Sequence, residues 1–584
     1  MLRILKKMNL LLDRRQKRTM LVLIVMMLVG GVLESLGISM LVPIVTVVLD
    51  PSKIGESAIL SALYDGFGME SSAQFAVFLL LAFVGMTVIK NIYLFFQQKL
   101  QLKFVYTNQF ATSRRMMINF MKRPYEYYLN ADTSVIQRNI TSDVNNMYGL
   151  ILSCLQLFSE CIVFVCLVVA LFLYSDAMMI MAMAVLMILL LLVIKKVLKP
   201  IMIRAGQENQ EFYSGLYKWI EQSVMGIKEI KIGCKENYFI NEYAKCGAGY
   251  VNAVQKYNLF NATPRLLIET VCITGMVGYF VLTIGQGTEL SELLPQLTAL
   301  AAAAMRLLPS VNRINNYQTS ISYFEPFFMG VSDNLQEEIH DGKMTYDAEV
   351  YRKKQAIEKL PLQENIRLED ITYKYPNTEK LIFDHAGMEI PIGSSVGIVG
   401  VTGSGKTTIV DVLLGLLKME SGRILADGVD VSGHYEAWLK NIGYIPQTIF
   451  MIDDSIRKNV AFGVPEEEID EKKVWRALEE AALDDFVRSL PEGLETGIGE
   501  RGIRISGGQR QRISIARALY EDPEVLVLDE ATSALDNDTE AAIMDSINRL
   551  HGKKTLVIIA HRLQTIEKCD IVYRVVDGKI TRER

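Results

Sequence analysis

Long apolar runs dominate the first 325 residues of the chain and are missing from the rest. A helix crossing a bilayer core needs about 20 mostly apolar residues. Six runs meet or approach that length: Thr19–Leu49, Ala73–Leu100, Leu150–Tyr174, Ala177–Leu198, Leu266–Ile284 and Leu290–Val311. The third and fourth are separated only by Ser175 and Asp176, which predicts a tight helical hairpin. Two polar connections, about 101–149 and 199–260, keep helical composition almost throughout, so they are expected to be helices that continue beyond the bilayer and turn back. Residues 326–363 are charged and without membrane-like runs, and read as a linker. From Ile366 the pattern changes to short β-rich runs, Gly turns and helices, the signature of a nucleotide-binding α/β domain.

Charge orients the spans. The leader 1–18 carries Arg3, Lys6, Lys7, Arg14, Arg15, Lys17 and Arg18, whereas the loop after the first span has Lys53 against Asp50, Glu56, Asp65 and Glu70. The loop after the fifth has Glu289 and Glu292 and no basic residue. Positive-inside logic then puts both termini in the cytoplasm. The apolar run after the leader is too long for a signal-peptide core, so the leader is expected to be an amphipathic helix on the membrane surface. Half the residues are hydrophobic, and a net charge of −5 argues against a nucleic-acid partner. The seven cysteines form no C-x-x-C pair and read as structural fillers rather than metal ligands.

The second half carries the chemistry. Gly400-Val-Thr-Gly-Ser-Gly-Lys-Thr407 fits the P-loop pattern without mismatch, between an apolar run, Ser395–Val399, and a predicted helix, Thr408–Leu417. Its residues Gly400, Thr402, Gly403, Ser404, Gly405, Lys406 and Thr407, with Thr408 behind them, are the candidate phosphate and nucleotide contacts. Lys406 faces the β/γ-phosphates and the Thr407 hydroxyl is placed for Mg²⁺. Glu524-Val-Leu-Val-Leu-Asp529 reads as a strand ending in a metal-holding carboxylate, and Glu530 beside it is placed to polarise the attacking water. Between them, Ile505-Ser-Gly-Gly-Gln509 puts Ser506, Gly507, Gly508 and Gln509 at a helix start, a second anion-binding concavity.

With these motifs in this order the chain resembles the ABC ATPases, whose signature is usually LSGGQ; Ile505 is a mild departure. The resemblance implies that Tyr375 stacks on adenine and that Gln447, in Tyr444-Ile-Pro-Gln447, senses Mg²⁺ and the γ-phosphate. It also implies that Asp536 lies in the D-loop and that His561 contacts the γ-phosphate, while Gly499-Glu-Arg-Gly502 matches the exporter X-loop. Glu530, His561 and Gln447 are thus the catalytic candidates, with Thr407, Gln447 and Asp529 around the metal. One P-loop and one signature per chain imply a dimer with two composite ATP sites, and the complete motifs favour a homodimer. The expected architecture is a membrane α-helical six-span exporter domain (19–325) fused to a soluble α/β P-loop ATPase domain (364–584).

Cargo has to be read from the membrane half. Ionisable groups in membrane segments usually face a partner or a watery cavity. Lys90, Arg265 and Arg306 stand out as basic, with Glu34, Glu160 and Glu269 as acidic counterparts. Arg265 and Glu269, one turn apart, could simply pair. Three inward positive charges would instead suit a phosphate or pyrophosphate head group. Gly37-Ile-Ser-Met-Leu-Val-Pro43, Pro264-Arg265 with Glu269, and Arg306-Leu-Leu-Pro-Ser-Val-Asn-Arg-Ile314 resemble the PglK-type flippases of lipid-linked oligosaccharides, and apolar Ala58–Leu63 suits the small external helix of that family. That resemblance implies a polyprenyl-pyrophosphate-linked glycan as substrate; an exporter of drugs, peptides or other lipids is the alternative. A single fused half-transporter with no organellar transit signal is expected in a bacterial plasma membrane. Arg123–Asn130 and Gly226–Glu236, at the turns of the two long cytoplasmic hairpins, resemble exporter coupling segments. A regulator or channel would be expected to carry a damaged carboxylate or signature, and none is damaged.

Overall fold

A computed structural model of the chain describes residues 2–39, 44, 47, 54, 58–66, 68–69, 71–174, 177–285, 290–341, 356–530, 544–545, 547–559 and 566–584. The chain divides into two compact units, Met1–Arg123 with Ala131–Thr345, and Pro124–Asn130 with Tyr346–Arg584.

The described part of the first unit is helical. In α1 (Leu2–Leu11) the buried Ile4, Met8 and Leu11 recur at helical spacing, giving one apolar face under a basic one. That face packs on the last helix of the unit, where Lys7 pairs with Asp333. α2 (Arg14–Ser39) follows, and the rest of the first predicted span lies mostly outside the described residues. The short helix Ala58–Gly66 stands where the sequence placed a small external helix.

The remaining long helices are α3 (Ser72–Lys122), α4 (Val144–Tyr174), α5 (Ala177–Met225), α6 (Glu236–Gly285) and α7 (Leu290–Asp341). At 51 residues α3 is about 77 Å long, more than twice the hydrocarbon thickness. The polar connections are therefore helical extensions, as their composition predicts. Ser71 caps α3 by accepting from the Gln74 N–H at 3.2 Å. Pro124 ends it, holding Arg123 in extended backbone. α2 lies on α3 and α4, α7 packs on α4 and α5, and α6 runs along α5.

Two polar clusters tie these helices together. Glu160 on α4, 9% exposed, accepts from Arg313 at 2.9 Å and from Ser310 at 2.5 Å, both on α7. Just before α4 the chain widens into a π-turn, Asn139–Asp143. There Arg138 reaches the fully buried Asp143 at 3.1 Å and donates to the Gln210 carbonyl (2.9 Å) and the Ser214 hydroxyl (2.6 Å) on α5.

The reading of 326–363 as a linker needs correction. Helix α7 continues to Asp341, and Phe327, Phe328, Val331 and Leu335 are wholly buried on it, so the first unit runs through Thr345 rather than ending at 325. Asp333 among those positions, and Glu337 and Glu338 just after them, disguise a helix with one apolar face.

The second unit holds two sheets. An antiparallel one has the order β2-β1-β4-β5, from β1 (Asn365–Lys374), β2 (Leu381–Pro391), β4 (Ser421–Ala426) and β5 (Val429–Asp430). The other has the order β10-β9-β3-β8-β7-β6, from β3 (Ser395–Val399), β6 (Ile442–Ile445), β7 (Val525–Asp529), β8 (Thr555–Ile559), β9 (Ile571–Val576) and β10 (Lys579–Arg582). It is parallel except for the β9–β10 hairpin. Strands β3, β7 and β8 are buried along their whole length, which explains their unbroken apolar runs.

Where β4 crosses the irregularity in β1 between Glu369 and Thr372, Gly422 has φ +100°, and a Cβ there would sit 2.6 Å from the Asp370 carbonyl oxygen. Gly422→Ala is expected to destabilise this unit by roughly 2–3 kcal/mol, visible as a lower melting temperature.

Candidate ATP site

The site is built at the carboxyl ends of β3, β6 and β7. Strand β3 delivers the chain into the loop 400–405, and α8 (Lys406–Leu413) starts behind it. Gly405 has φ +102°, and a Cβ there would press on Ile382 at 3.0 Å and Phe383 at 3.1 Å, so only glycine turns the chain into the helix without strain. Lys406 is 5% exposed, and its ammonium donates to the loop's own carbonyls at Gly400 (3.1 Å) and Val401 (3.3 Å). The buried Ser404 Oγ has no hydrogen-bond partner among the described residues. A buried cation resting on carbonyls, beside an orphaned hydroxyl, is a cradle suited to phosphate oxygens. Thr402 and Gly403 lie exposed at the loop's rim.

Parallel pairing of β3 with β8 and of β8 with β7 brings the carboxylates at the end of β7 to this loop, with β6 on their other side. Thr407 Oγ1 donates to Asp529 Oδ1 at 3.3 Å, and Tyr444 Oη donates to Asp529 Oδ2 at 3.3 Å. Asp529 is 3% exposed. Burial raises its pKa above the ordinary carboxylate value, the Thr407 and Tyr444 hydroxyls and the Lys406 charge oppose that, and Glu530 adds to it. A hydroxyl and a carboxylate are the oxygen donors Mg²⁺ prefers. Adjacent ligands about 2.1 Å from the ion stand roughly 3 Å apart, close to the separation found here. The residues therefore fit the metal.

Glu530 sits in left-handed backbone (φ 47°), held by its N–H donating to the Ile559 carbonyl at 3.1 Å. Its carboxylate accepts from Gln447 Nε2 at 2.6 Å. Tyr375, expected against adenine, has its hydroxyl 2.8 Å from that of Thr408 and its ring edge-on to Tyr373. Asp536 and His561 lie outside the described residues.

The signature opens α9 (Gly507–Leu519). Ser506 caps it by accepting from the Gln509 N–H (3.2 Å), and Gln509 Oε1 accepts from the Ser506 N–H (2.8 Å), a reciprocal capping box. The helix itself offers no acceptor for the N–H groups of Gly507 and Gly508. At its far end Arg517 donates to the carbonyls of Phe450 (2.7 Å) and Asn459 (2.8 Å) and lies over the Phe462 ring, tying α9 to the segment after Gln447.

Sequence reasoning missed Tyr444, Arg517 and Asp411. Burial, and secondarily the charge of Asp529, push the Asp411 carboxyl up to about 6. A carboxyl raised in the folded state costs nothing while protonated in both states. The cost grows as pH rises from near 4 through about 6 and is complete above that. Asp411→Asn is therefore expected to raise the melting temperature of the nucleotide-free protein at pH 8 and to change it little at pH 4.

The two turn segments differ in setting. Pro124–Asn130 belongs to the second unit, where Glu126 accepts from the Lys418 N–H at 2.8 Å. Gly226–Lys235 contains the helix Ile227–Ile232, beside an open apolar hollow of about 410 Å³ lined by Trp219, Val224, Ile227, Ile230, Phe239 and Tyr243. In the membrane unit Lys90 is half-buried on α3 and Arg265 is exposed on α6. Arg265 and Glu269 form no ion pair with each other or with another described residue, so the simple pairing of those two is not made. The side chain of Arg306, on α7, lies outside the described part.

Two family profiles account for most of the chain. One, ABC transporter transmembrane region, matches residues 20–282, and the other, ABC transporter, matches residues 383–533. The chain belongs to the ABC transporters and joins a transmembrane domain to an ATP-binding domain. Among its relatives is an ATP-dependent lipid A-core flippase of Syntrophus aciditrophicus (strain SB), 27% identical over 476 residues, 80% of this chain and 76% of the relative. Another of the same description, from Desulfotalea psychrophila (strain LSv54 / DSM 12343), is 27% identical over 479 residues, 80% of each. A bacterial Atm1-family ABC exporter solved with ATP bound superposes with a TM-score of 0.73 at 21% identity, over 97% of this chain and 95% of that one. The fold is that of an exporter, and the protein is a multi-pass, ATP-hydrolysing membrane transporter.

Proposed function

We propose that the chain works as a homodimer that uses ATP to flip an anionic glycolipid, a polyprenyl-pyrophosphate-linked oligosaccharide, from the cytoplasmic to the outer leaflet of a bacterial plasma membrane, with both termini cytoplasmic. The observation that carries the cargo reading is a basic set on the membrane helices, Lys90 and Arg265, that no described acidic residue neutralises, with Arg306 on a third helix. Isolated charges of this kind are costly in a membrane unless a cavity or an anionic ligand faces them.

In the ATP site Thr407, Asp529 and Gln447 would hold Mg²⁺, which supplies charge neutralisation across the β- and γ-phosphates. Lys406 and the loop N–H groups bind the phosphates. Glu530, steadied by Gln447, orients and deprotonates the attacking water, and His561 contacts the γ-phosphate. Ser506, Gly507, Gly508 and Gln509 close over ATP held by the other subunit. The segments 123–130 and 226–236 carry the resulting motion to the helices.

The names of the relatives favour a second reading, in which the cargo is a lipid A-core glycolipid. Both cargoes are amphiphiles bearing phosphate. ATPase activity of the reconstituted protein distinguishes them: the first reading expects stimulation by the polyprenyl-pyrophosphate oligosaccharide above that by lipid A-core. Stimulation by hydrophobic cations alone would move the protein to the exporters of drugs, peptides or other lipids.

A further inference from the structure

The metal-holding carboxylate and the water-polarising carboxylate are adjacent in sequence, and each has a partner from the same short stretch of chain. Gln447 donates to Glu530 at 2.6 Å, and three residues earlier Tyr444 donates to Asp529 at 3.3 Å. The register explains the match. Tyr444 pairs with Val527 and Ile445 with Leu528 in the parallel β6–β7 ladder, so the two strands end side by side. The tyrosine then reaches forward to the last residue of β7, and the loop beyond β6 carries Gln447 to the residue after it.

The two oxygens of Asp529 are thereby divided. Oδ1 faces the Thr407 hydroxyl and Oδ2 faces the Tyr444 hydroxyl. The carboxylate is almost wholly buried, so water cannot replace a lost donor at low cost. Without the phenol, Oδ2 has no hydrogen-bond partner among the described residues, and the Thr407 hydroxyl alone restrains the rotation of the carboxylate about its last bond. Tyr444 is only half-buried, and its hydroxyl is bonded to Asp529 rather than to the phosphate-binding loop.

We infer that Tyr444 is a positioning residue for the metal: its hydroxyl sets the orientation in which Asp529 receives the ion bound with ATP. The inference rests on Asp529 being a metal ligand and is independent of the cargo. It separates two quantities that a merely structural tyrosine would move together, affinity for the metal in the nucleotide complex and affinity for metal-free nucleotide.

The test uses the full-length protein in detergent or nanodiscs, with Mn²⁺ as a paramagnetic probe titrated in the presence of saturating ATP, and a fluorescent ATP analogue titrated in EDTA. Tyr444→Phe is expected to weaken Mn²⁺ about tenfold, the scale of one hydrogen bond to a charged acceptor, and to leave metal-free nucleotide binding unchanged. Tyr435→Phe removes a phenol bonded to the Leu414 carbonyl at 3.2 Å in the same unit and should change neither quantity. Asp529→Asn should weaken Mn²⁺ by far more than Tyr444→Phe does. If Asp529→Asn binds Mn²⁺ as the wild type does, the assignment of the ligand fails. If Asp529→Asn is impaired while Tyr444→Phe matches the wild type within twofold, or loses metal-free nucleotide equally, the positioning role alone is overturned.

Discussion

Glu530→Gln is expected to stop ATP turnover and leave ATP binding intact. In the proposed mechanism this carboxylate takes a proton from water, and its position is held from two directions. Gln447 donates to one oxygen at 2.6 Å, and the backbone N–H is tied to the Ile559 carbonyl on β8. An amide of the same shape keeps the packing but cannot accept the proton. A positioned general base contributes about 10²- to 10⁴-fold, so turnover should fall by at least a hundredfold. The nucleotide contacts come from the loop 400–407, which the substitution does not touch, so the dissociation constant for ATP should stay within about twofold, on the scale of an unperturbed hydrogen-bond set. Phosphate release and equilibrium ATP binding, measured on the same preparation, check both parts. Turnover within tenfold of the wild type would place the base elsewhere.

The second large effect concerns the membrane helices. Replacing Lys90, Arg265 and Arg306 together by alanine should abolish transport of a phosphate-bearing lipid while basal ATPase persists. Each charge-assisted contact to phosphate is worth about 1.5–3 kcal/mol, so three acting together change the apparent lipid affinity by 10³-fold or more. None of the three lies among the residues that build the ATP site, which is why hydrolysis should survive. Lipid-stimulated ATPase should vanish and basal ATPase should remain, and a loss of both would mean the variant is damaged rather than blind to cargo.

The parts legible in the sequence are those whose signal is local. A run of 20 apolar residues or the contiguous stretch Gly400–Thr407 carries its meaning within one window, and so did the continuation of α3 and α5 through polar composition. The end of α7 was misread for the opposite reason. Asp333, Glu337 and Glu338 raise the local polarity, while the buried positions Phe327, Phe328, Val331 and Leu335 show only as a helical period. Tyr444 stands 85 residues from Asp529, and Arg313 stands 153 from Glu160. Pairs at that range depend on strand register or helix rotation, which no window of sequence contains. The π-turn that buries Asp143 was invisible because its donors come from Arg138 and from Gln210, on two different elements.

The measurement that bears most directly on the account is flipping of a labelled polyprenyl-pyrophosphate oligosaccharide in proteoliposomes, followed by accessibility of the label in the two leaflets. The account predicts ATP-dependent movement by the wild type, none with Glu530→Gln, and none with the triple alanine variant despite its ATPase. Robust ATP hydrolysis by the wild type with no movement of that lipid would contradict it.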